Sequence, residues 1–182
     1  MASSRPNWPR LLLTAALAWY SVAILSAQDT WSALDNVNLP IHETGHLVFG
    51  PFGEHTAALG GTLFQLIVPL VFGGSFLARG DRHAASVMLW WLGQNGVNIG
   101  RYMADAVVQE LPLVGGGEHD WSYLFGEWNL LAHSEQIGLD THRIGAAVMV
   151  AALAWGAHAG WHSGLAAGRG RRLSLGAPTG PR

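Results

Sequence analysis

An apolar run from Ala57 to Ala78 constrains this chain more than any other feature of its sequence. The run contains no charged side chain, and about 20 consecutive apolar residues in helical conformation are enough to cross the hydrocarbon core of a bilayer. Three more segments of similar length, at residues 11–27, 84–104 and 144–165, are apolar over all or half of their extent. The pattern predicts an all-α, polytopic membrane helical bundle with about four spans.

The first of these segments has two interpretations. It is short for a span, at about 17 residues, and a cleavable signal peptide is the alternative. Cleavage after Ala27 would place Leu25 at the third position before the cut, where a small residue is expected. We therefore favour an uncleaved membrane anchor.

Composition agrees with a membrane protein. Charged residues make up 12% of the 182 residues and apolar residues 49%; this charged share is about half the usual one. The formal net charge of −2 gives no reason to expect nucleic acid as a partner. We predict one transmembrane domain at residues 1–168, with the bilayer as its partner, and a disordered basic tail at residues 169–182; an oligomeric state is not specified.

The arginines predict an orientation, because cytoplasmic loops are enriched in basic residues. Most of them lie in three segments, near residues 5–10, 79–82 and 169–182. We place these segments in the cytoplasm, as in a protein of the bacterial inner membrane. Both chain termini are then cytoplasmic, and the loop at residues 106–141 is on the outer, periplasmic side.

This orientation constrains a further helix, predicted at about residues 38–52. Residues 28–38 would be outside and residues 79–82 inside, so an odd number of spans must separate them. The helix at 38–52 is only about 22 Å long, which is shorter than a bilayer core of about 30 Å. We predict that it is re-entrant or interfacial and that residues 57–78 form the crossing helix.

The helix at 38–52 contains the segment His42-Glu43-Thr44-Gly45-His46, which reads H-E-x-x-H. Residues four apart lie one turn above each other on a helix, so both imidazoles can face one metal ion. Such side chains are costly to bury in apolar surroundings unless something binds them, which favours a Zn²⁺ site over a merely hydrogen-bonded polar face. The glutamate is then placed to take a proton from a metal-activated water.

A catalytic zinc ion usually has three protein ligands and one open position, and cysteine is absent from the chain. On the outer side, the third ligand is expected from His119, Asp120 or Asp105, which we rank in that order. The first two follow a glycine-rich stretch at residues 115–117, whose backbone allows a close approach. The alternative is that residues 118–120 only cap an amphipathic helix predicted at residues 121–132, with Asp120 as N-cap.

Polar residues at helical spacing follow the second half of segment 84–104: Gln94, Asn98, Arg101 and Asp105. We consider Asn98 and Arg101 candidate catalytic residues that stabilise negative charge on a substrate carbonyl. Interhelical hydrogen bonding is the alternative role.

A second histidine pair at four-residue spacing, His158 and His162, lies on the last predicted span. No carboxylate accompanies it in the sequence. We interpret it as part of the inner membrane interface, together with Trp161, rather than as a haem or metal site.

The H-E-x-G-H segment in an apolar helix, followed by a glycine-rich turn and further spans, resembles the site-2-protease-like intramembrane zinc metallopeptidases. It also resembles a group of small bacterial membrane proteins that pair H-E-x-G-H with a later G-x-H-D-W loop, here Gly117 to Trp121. The likeness covers mainly residues 39–70 and 94–121, and H-E-x-x-H is its most specific motif.

The resemblance implies that His42 and His46 are zinc ligands and that Glu43 is the general base. Site-2 proteases usually take a third ligand from Asn-Pro-Asp-Gly or Leu-Asp-Gly on a later span, and neither motif occurs here. Asp105 is the nearest substitute in position, and the His119-Asp120 pair is the nearest in context.

Three functional hypotheses follow. The first is a membrane zinc hydrolase, most simply a peptidase acting on a membrane-proximal peptide; a lipid amide or ester substrate would use the same groups. The second is a catalytically silent metal-binding or scaffold subunit of a membrane complex. The third, a membrane di-iron oxygenase, is disfavoured because such sites need further histidine boxes that this sequence lacks.

Overall fold

A computed structural model describes residues 6–26, 32–111 and 118–162, and every regular element within these ranges is helical. Two short 3₁₀ segments, Gly50–Phe52 and Leu131–His133, precede α3 and α6. The prediction of an all-α fold is confirmed. The six α-helices are α1 (Trp8–Ser26), α2 (Asp35–Phe49), α3 (Glu54–Ala78), α4 (Arg82–Ala104), α5 (Asp120–Glu127) and α6 (Ser134–His162).

Among the described residues, three helical segments are long and apolar enough to cross a membrane: α1, α3 and residues 131–162, which contain α6. The fourth predicted span, at residues 84–104, corresponds to α4 and is not among them. The reason lies in its second half, where Gln94, Asn95, Asn98 and Arg101 lower the hydropathy of an otherwise suitable helix.

Helix α4 forms the centre of the bundle and packs along α6 and α3. Its contact with α6 depends on small residues, because a Cβ atom on Gly100 would lie 2.5 Å from the carbonyl oxygen of Gly138, and one on Gly93 would lie 2.7 Å from that of Gly145. Such glycines let two helix backbones approach closely. Gln94 and Asn95 of α4 are covered by other helices and are both 1% exposed, whereas Asn98 and Arg101 are partly exposed.

Three chain segments meet at one end of the bundle. Arg10 at the start of α1 forms an ion pair of 3.0 Å with Asp81, which precedes α4. The main-chain N–H of Asn7 donates to the carbonyl of Gly160, near the end of α6, at 3.0 Å. The start of α1, the α3–α4 turn and the end of α6 therefore lie together, whereas α5 packs near the opposite end of α4.

Helix α2 begins at Asp35 and ends at Phe49, about three residues earlier at each end than predicted. Its start is held by Asp35, whose carboxylate accepts the N–H of Ser32 at 2.7 Å. Pro40 consequently lies inside the helix. The glycine Gly53, with φ of 106°, separates the following 3₁₀ segment from α3.

Helix α6 begins at Ser134, ten residues before the span predicted at 144–165 and within the outer loop predicted at residues 106–141. The extra turns are stabilised by the close contact of Gly138 with α4. The amphipathic helix predicted at residues 121–132 is α5 and ends at Glu127, where Asn129 adopts a positive φ of 57° typical of a helix C-terminus. The predicted basic tail at residues 169–182 lies outside the described residues.

Candidate metal centre

His42 and His46 project from one face of α2 towards Asp120 at the start of α5. The Nε2 atoms of the two imidazoles lie 2.9 and 3.4 Å from the same carboxylate oxygen, Oδ2 of Asp120. The three potential ligand atoms all lie within 4.8 Å of one another. Within the described ranges, this is the one group of three or more such residues that could hold a metal ion.

Helix α5 brings Asp120 to this position. An apolar cluster that includes Ile99 of α4 and Leu124 and Phe125 of α5 holds the short helix against α4. Tyr102 then positions the aspartate directly: its hydroxyl accepts the main-chain N–H of Asp120 at 3.2 Å and donates to Oδ2 at 3.4 Å. Tyr102 thus holds Asp120 through both its main chain and its carboxylate.

His119 and Asp105, the other two ligand candidates, form a separate contact. The imidazole of His119 is 1% exposed, and its Nδ1 accepts the N–H of Ser122, so that His119 rather than Asp120 is the N-cap of α5. Its Nε2 lies 3.5 Å from Oδ2 of Asp105, too long for a well-formed hydrogen bond. Burial lowers the pKa of His119, which favours its neutral form.

Asp105 terminates α4, where its carboxylate accepts the main-chain N–H groups of Glu110 and Leu111 at 2.9 and 3.1 Å. These bonds hold the chain that leaves α4. The structure therefore places Asp120, which we ranked second, beside the histidine pair, and it places His119 and Asp105 in the support of the neighbouring loop.

Both ligand histidines have an acceptor behind the ring. Nδ1 of His42 donates to Oε1 of Gln65 at 2.9 Å, and Nδ1 of His46 donates to the carbonyl of Ala57 at 2.8 Å. With Nδ1 bonded in this way, Nε2 of each ring faces Asp120 and is the atom that would bind a metal ion in place of its proton. Outer-shell partners orient metal ligands by such bonds to the other ring nitrogen. A Cβ atom on Gly61 would lie 2.5 Å from the His42 ring, so glycine leaves room for it there.

The electrostatics of this group favour a cation. The hydrogen bond that the His46 imidazole donates to Asp120 raises the pKa of His46 to about 9, against the opposing effect of burial. Burial raises the pKa of the Asp120 carboxyl, but its hydrogen bonds with His42 and His46 outweigh this effect, and the net pKa is lowered. The site therefore stabilises positive charge between these side chains, which a proton or a metal ion can supply.

A cavity of about 380 Å³ lies over this group. Glu43 lines it beside the two histidines, and no basic side chain of the described residues pairs with the Glu43 carboxylate. Arg101 and Asn98 line the same cavity. Arg101 lies 3.7 Å from Asp35, and the amide of Asn98 donates to Asp35 and accepts from Gln65.

Sequence reasoning missed Gln65, Tyr102 and Asp35 as parts of this site. Gln65 had one available signal, because it is a buried amide in an apolar run and such residues need partners. Tyr102 follows Arg101 and lies four residues after Asn98, which placed it beside the predicted polar stripe. Asp35 lies seven residues before His42, on the same face of α2.

The second histidine pair has different surroundings. The rings of His158 and His162 lie 4.3 Å apart, both are exposed, and Nδ1 of His162 donates to the carbonyl of His158 in its own helix. Among the described residues no carboxylate joins this pair to form a metal-binding group.

The residues of the first pair fit a zinc ion. Two imidazole nitrogens and one carboxylate oxygen form a donor set typical of catalytic zinc, and Glu43 and an open cavity adjoin it. Comparison of the chain with models of known protein families, with curated proteins and with solved structures finds no match. The functional argument therefore depends on the geometry of the site.

Proposed function

We propose that this chain is a membrane-embedded, zinc-dependent hydrolase, most simply a peptidase, with Glu43 as general base. The observation that supports this most directly is the convergence of His42, His46 and Asp120 beside a cavity lined by Glu43. In this proposal Asp120 supplies the third ligand, the role that an aspartate of a later span has in the site-2-protease-like metallopeptidases.

The chemistry divides between the ion and the protein. A zinc ion, when bound, would lower the pKa of a coordinated water and polarise a substrate carbonyl. Glu43 accepts the proton of the attacking water and passes it to the leaving nitrogen. Arg101 provides N–H donors from the cavity wall for the negative charge that develops on the carbonyl oxygen.

The proposed substrate is a membrane-proximal peptide. A cavity of about 380 Å³ is within the range of roughly 300–1,000 Å³ in which proteins bind small ligands, so it accommodates the residues around one scissile bond. An amide or ester of a lipid would use the same groups.

The proposed topology has four spans, with α4 as the fourth. Its polar side chains do not oppose this, because Gln94 and Asn95 are buried inside the bundle and Asn98 and Arg101 line the cavity. The bundle end that contains Arg10, Arg79 and Arg82 is cytoplasmic by the positive-inside rule. The metal centre then opens to the periplasmic side of a bacterial inner membrane, and α2 is a partly inserted helix.

Substitution of the proposed general base tests the chemistry. Glu43→Gln should retain one zinc per chain and lose about 10²–10⁴-fold in turnover, which is the usual contribution of a general base. Glu135→Gln, an exposed glutamate at the start of α6, is the matched control and should behave as wild type. Turnover is measured with a peptide library in detergent, and metal by elemental analysis.

A Glu43→Gln variant that cleaves as fast as wild type would exclude this mechanism. Wild-type protein that holds no metal would instead support the scaffold-subunit hypothesis, and two irons per chain would support the oxygenase hypothesis.

Single cysteines test the topology, and their labelling is unambiguous because the natural chain has no cysteine. A cysteine at Gly80 should react with an impermeant maleimide only after the membrane is opened, whereas one at Glu127 should react in intact cells. Labelling of the Gly80 position from outside would refute the orientation.

A further inference from the structure

Helix α3 contains a proline, Pro69, beyond the residues that contact the two ligand histidines. A proline has no main-chain N–H, so it cannot donate to the carbonyl four residues earlier in its helix. In α3 that carbonyl belongs to Gln65, which is 4% exposed, and Pro69 itself is less than 2% exposed. A buried carbonyl without a partner is costly. The proline therefore makes the Gln65 carbonyl dependent on a donor from another element.

Asn95 of α4 supplies that donor. Its Nδ2 donates to the main-chain carbonyl oxygen of Gln65 at 2.9 Å, and Asn95 is 1% exposed. Neighbouring helices often pair the carbonyls that a proline frees in a membrane helix. Because a main-chain carbonyl can only accept, the bond also fixes which way the Asn95 amide is turned.

The other end of the Asn95 amide contacts the side chain of the same glutamine. Oδ1 of Asn95 accepts from Nε2 of Gln65 at 3.4 Å. A second acceptor for this nitrogen, Oδ1 of Asn98 at 3.3 Å, lies on the same helix, α4. Asn95 thus differs from Asn98 in holding both the main chain and the side chain of Gln65.

The glutamine held in this way lies against the His42 ring. Oε1 of Gln65 is 2.9 Å from Nδ1 of His42. Gly61, one helical turn before Gln65, lies so close to the same ring that a Cβ atom there would be 2.5 Å from it. The turn of α3 from residue 61 to residue 65 therefore forms the surface against which the His42 ring packs, and this turn directly precedes the one that Pro69 interrupts.

We propose that Asn95 is a positioning residue of the metal centre, which holds Gln65 behind the His42 ring where Pro69 has freed the helix carbonyl. The inference rests on the proposed function, because it concerns a ligand of the same metal site. His46 is supported elsewhere on α3, by the main-chain carbonyl of Ala57 at 2.8 Å. Asn95 therefore acts on one ligand of the pair.

Asn95→Leu tests the proposal, because leucine has a similar shape and makes neither contact with Gln65. The zinc affinity should fall by about tenfold, at the lower end of the effect of outer-shell partners, as measured by competition with a chromophoric chelator. Gln94→Leu is the matched control. Gln94 precedes Asn95 on α4, is also 1% exposed, and bonds to Asp35 and Asn38. Its substitution should lower the melting temperature by a comparable amount and keep the wild-type zinc affinity.

Pro69→Ala separates the positioning of Gln65 from the loss of a main-chain hydrogen bond. An alanine at this position can donate its N–H to the Gln65 carbonyl within α3, so the carbonyl no longer depends on Asn95. The double variant Asn95→Leu, Pro69→Ala should recover the melting temperature that Asn95→Leu loses. Its zinc affinity should stay about tenfold below that of Pro69→Ala alone, because Asn95 no longer holds the Gln65 side chain.

If Asn95→Leu does not fold, as judged by circular dichroism, the comparison of the double variant with Pro69→Ala decides, because the Gln65 carbonyl is paired in both. Gln65→Leu gives a second measure. It removes the contact with His42 and should weaken zinc binding by about 10–100-fold.

The inference is overturned if folded Asn95→Leu binds zinc as wild type does, or if Gln94→Leu loses as much zinc affinity as Asn95→Leu. It is also overturned if the double variant recovers its zinc affinity together with its melting temperature, or if Gln65→Leu binds zinc as wild type does. Failure of the proposed function gives a different result. Wild-type protein that binds no zinc would exclude the metal site itself, whereas equal binding by wild type and Asn95→Leu would exclude only the role of Asn95.

Discussion

The molecule contains two histidine pairs with the same spacing, His42 with His46 on α2 and His158 with His162 on α6. In both pairs the rings lie one helical turn apart, with centroids separated by 4.6 and 4.3 Å. By helix geometry alone the two pairs are equivalent.

Their surroundings make them different. The first pair has an acceptor behind each ring and a carboxylate from another helix in front. The second pair is exposed, and His162 donates to its own helix. Spacing aligns two imidazoles, but a metal site also needs fixed tautomers and a third ligand, and these come from residues that are distant in sequence.

Removal of one histidine from each pair gives the largest expected contrast. His46→Ala should abolish the bound zinc, because it removes one of three protein ligands, whereas His158→Ala should keep one zinc per chain. Elemental analysis of the purified variants beside wild type measures this. Loss of zinc from His158→Ala would mean that the second pair binds metal, and the comparison would fail.

Substitution of the proposed third ligand, Asp120, should have the next largest effect on zinc binding. Asp120→Asn keeps the shape of the side chain but removes its charge, and should weaken zinc binding by more than about 100-fold, above the range of outer-shell partners. His119→Ala removes an N-cap of α5, worth about 1 kcal/mol, and should weaken binding by less than about tenfold. Competition with a chromophoric chelator measures both affinities. A larger loss for His119→Ala would reverse the assignment of the third ligand.

A smaller effect on zinc affinity is expected when the space behind the His42 ring is filled. Gly61→Ala would place a Cβ atom 2.5 Å from the His42 ring, and the displaced ring should bind zinc about tenfold more weakly, like a ligand that has lost an outer-shell partner. Gly74→Ala is the control in the same helix, because a Cβ atom there meets nothing within 4 Å. Titration with zinc compares the two variants, and equal affinities would show that the ring position is not restricted by Gly61.

The candidate site was predictable from the sequence only in part. The pairing of His42 and His46 followed from a spacing of four, because the helix repeat is local. The sequence did not show which of His119 and Asp120 is the third candidate ligand, because adjacent residues at a helix start point in different directions. His119 turns back to cap α5, while Asp120 faces α2. Gln65 and Tyr102 gave little signal, because their partners lie far away in the chain.

By itself the sequence determined the helical class, the apolar lengths that suit a membrane and the face of α2 that carries the H-E-x-x-H side chains. These properties depend on the order of neighbouring residues and on a repeat of 3.6 residues per turn. Only the tertiary structure decided that Asp120 faces the histidines, that Gln94 and Asn95 of α4 are buried and that Gln65 lies behind the His42 ring. Hydrogen bonds and ligand contacts act over about 3 Å, so they depend on how distant segments pack, which no local pattern specifies.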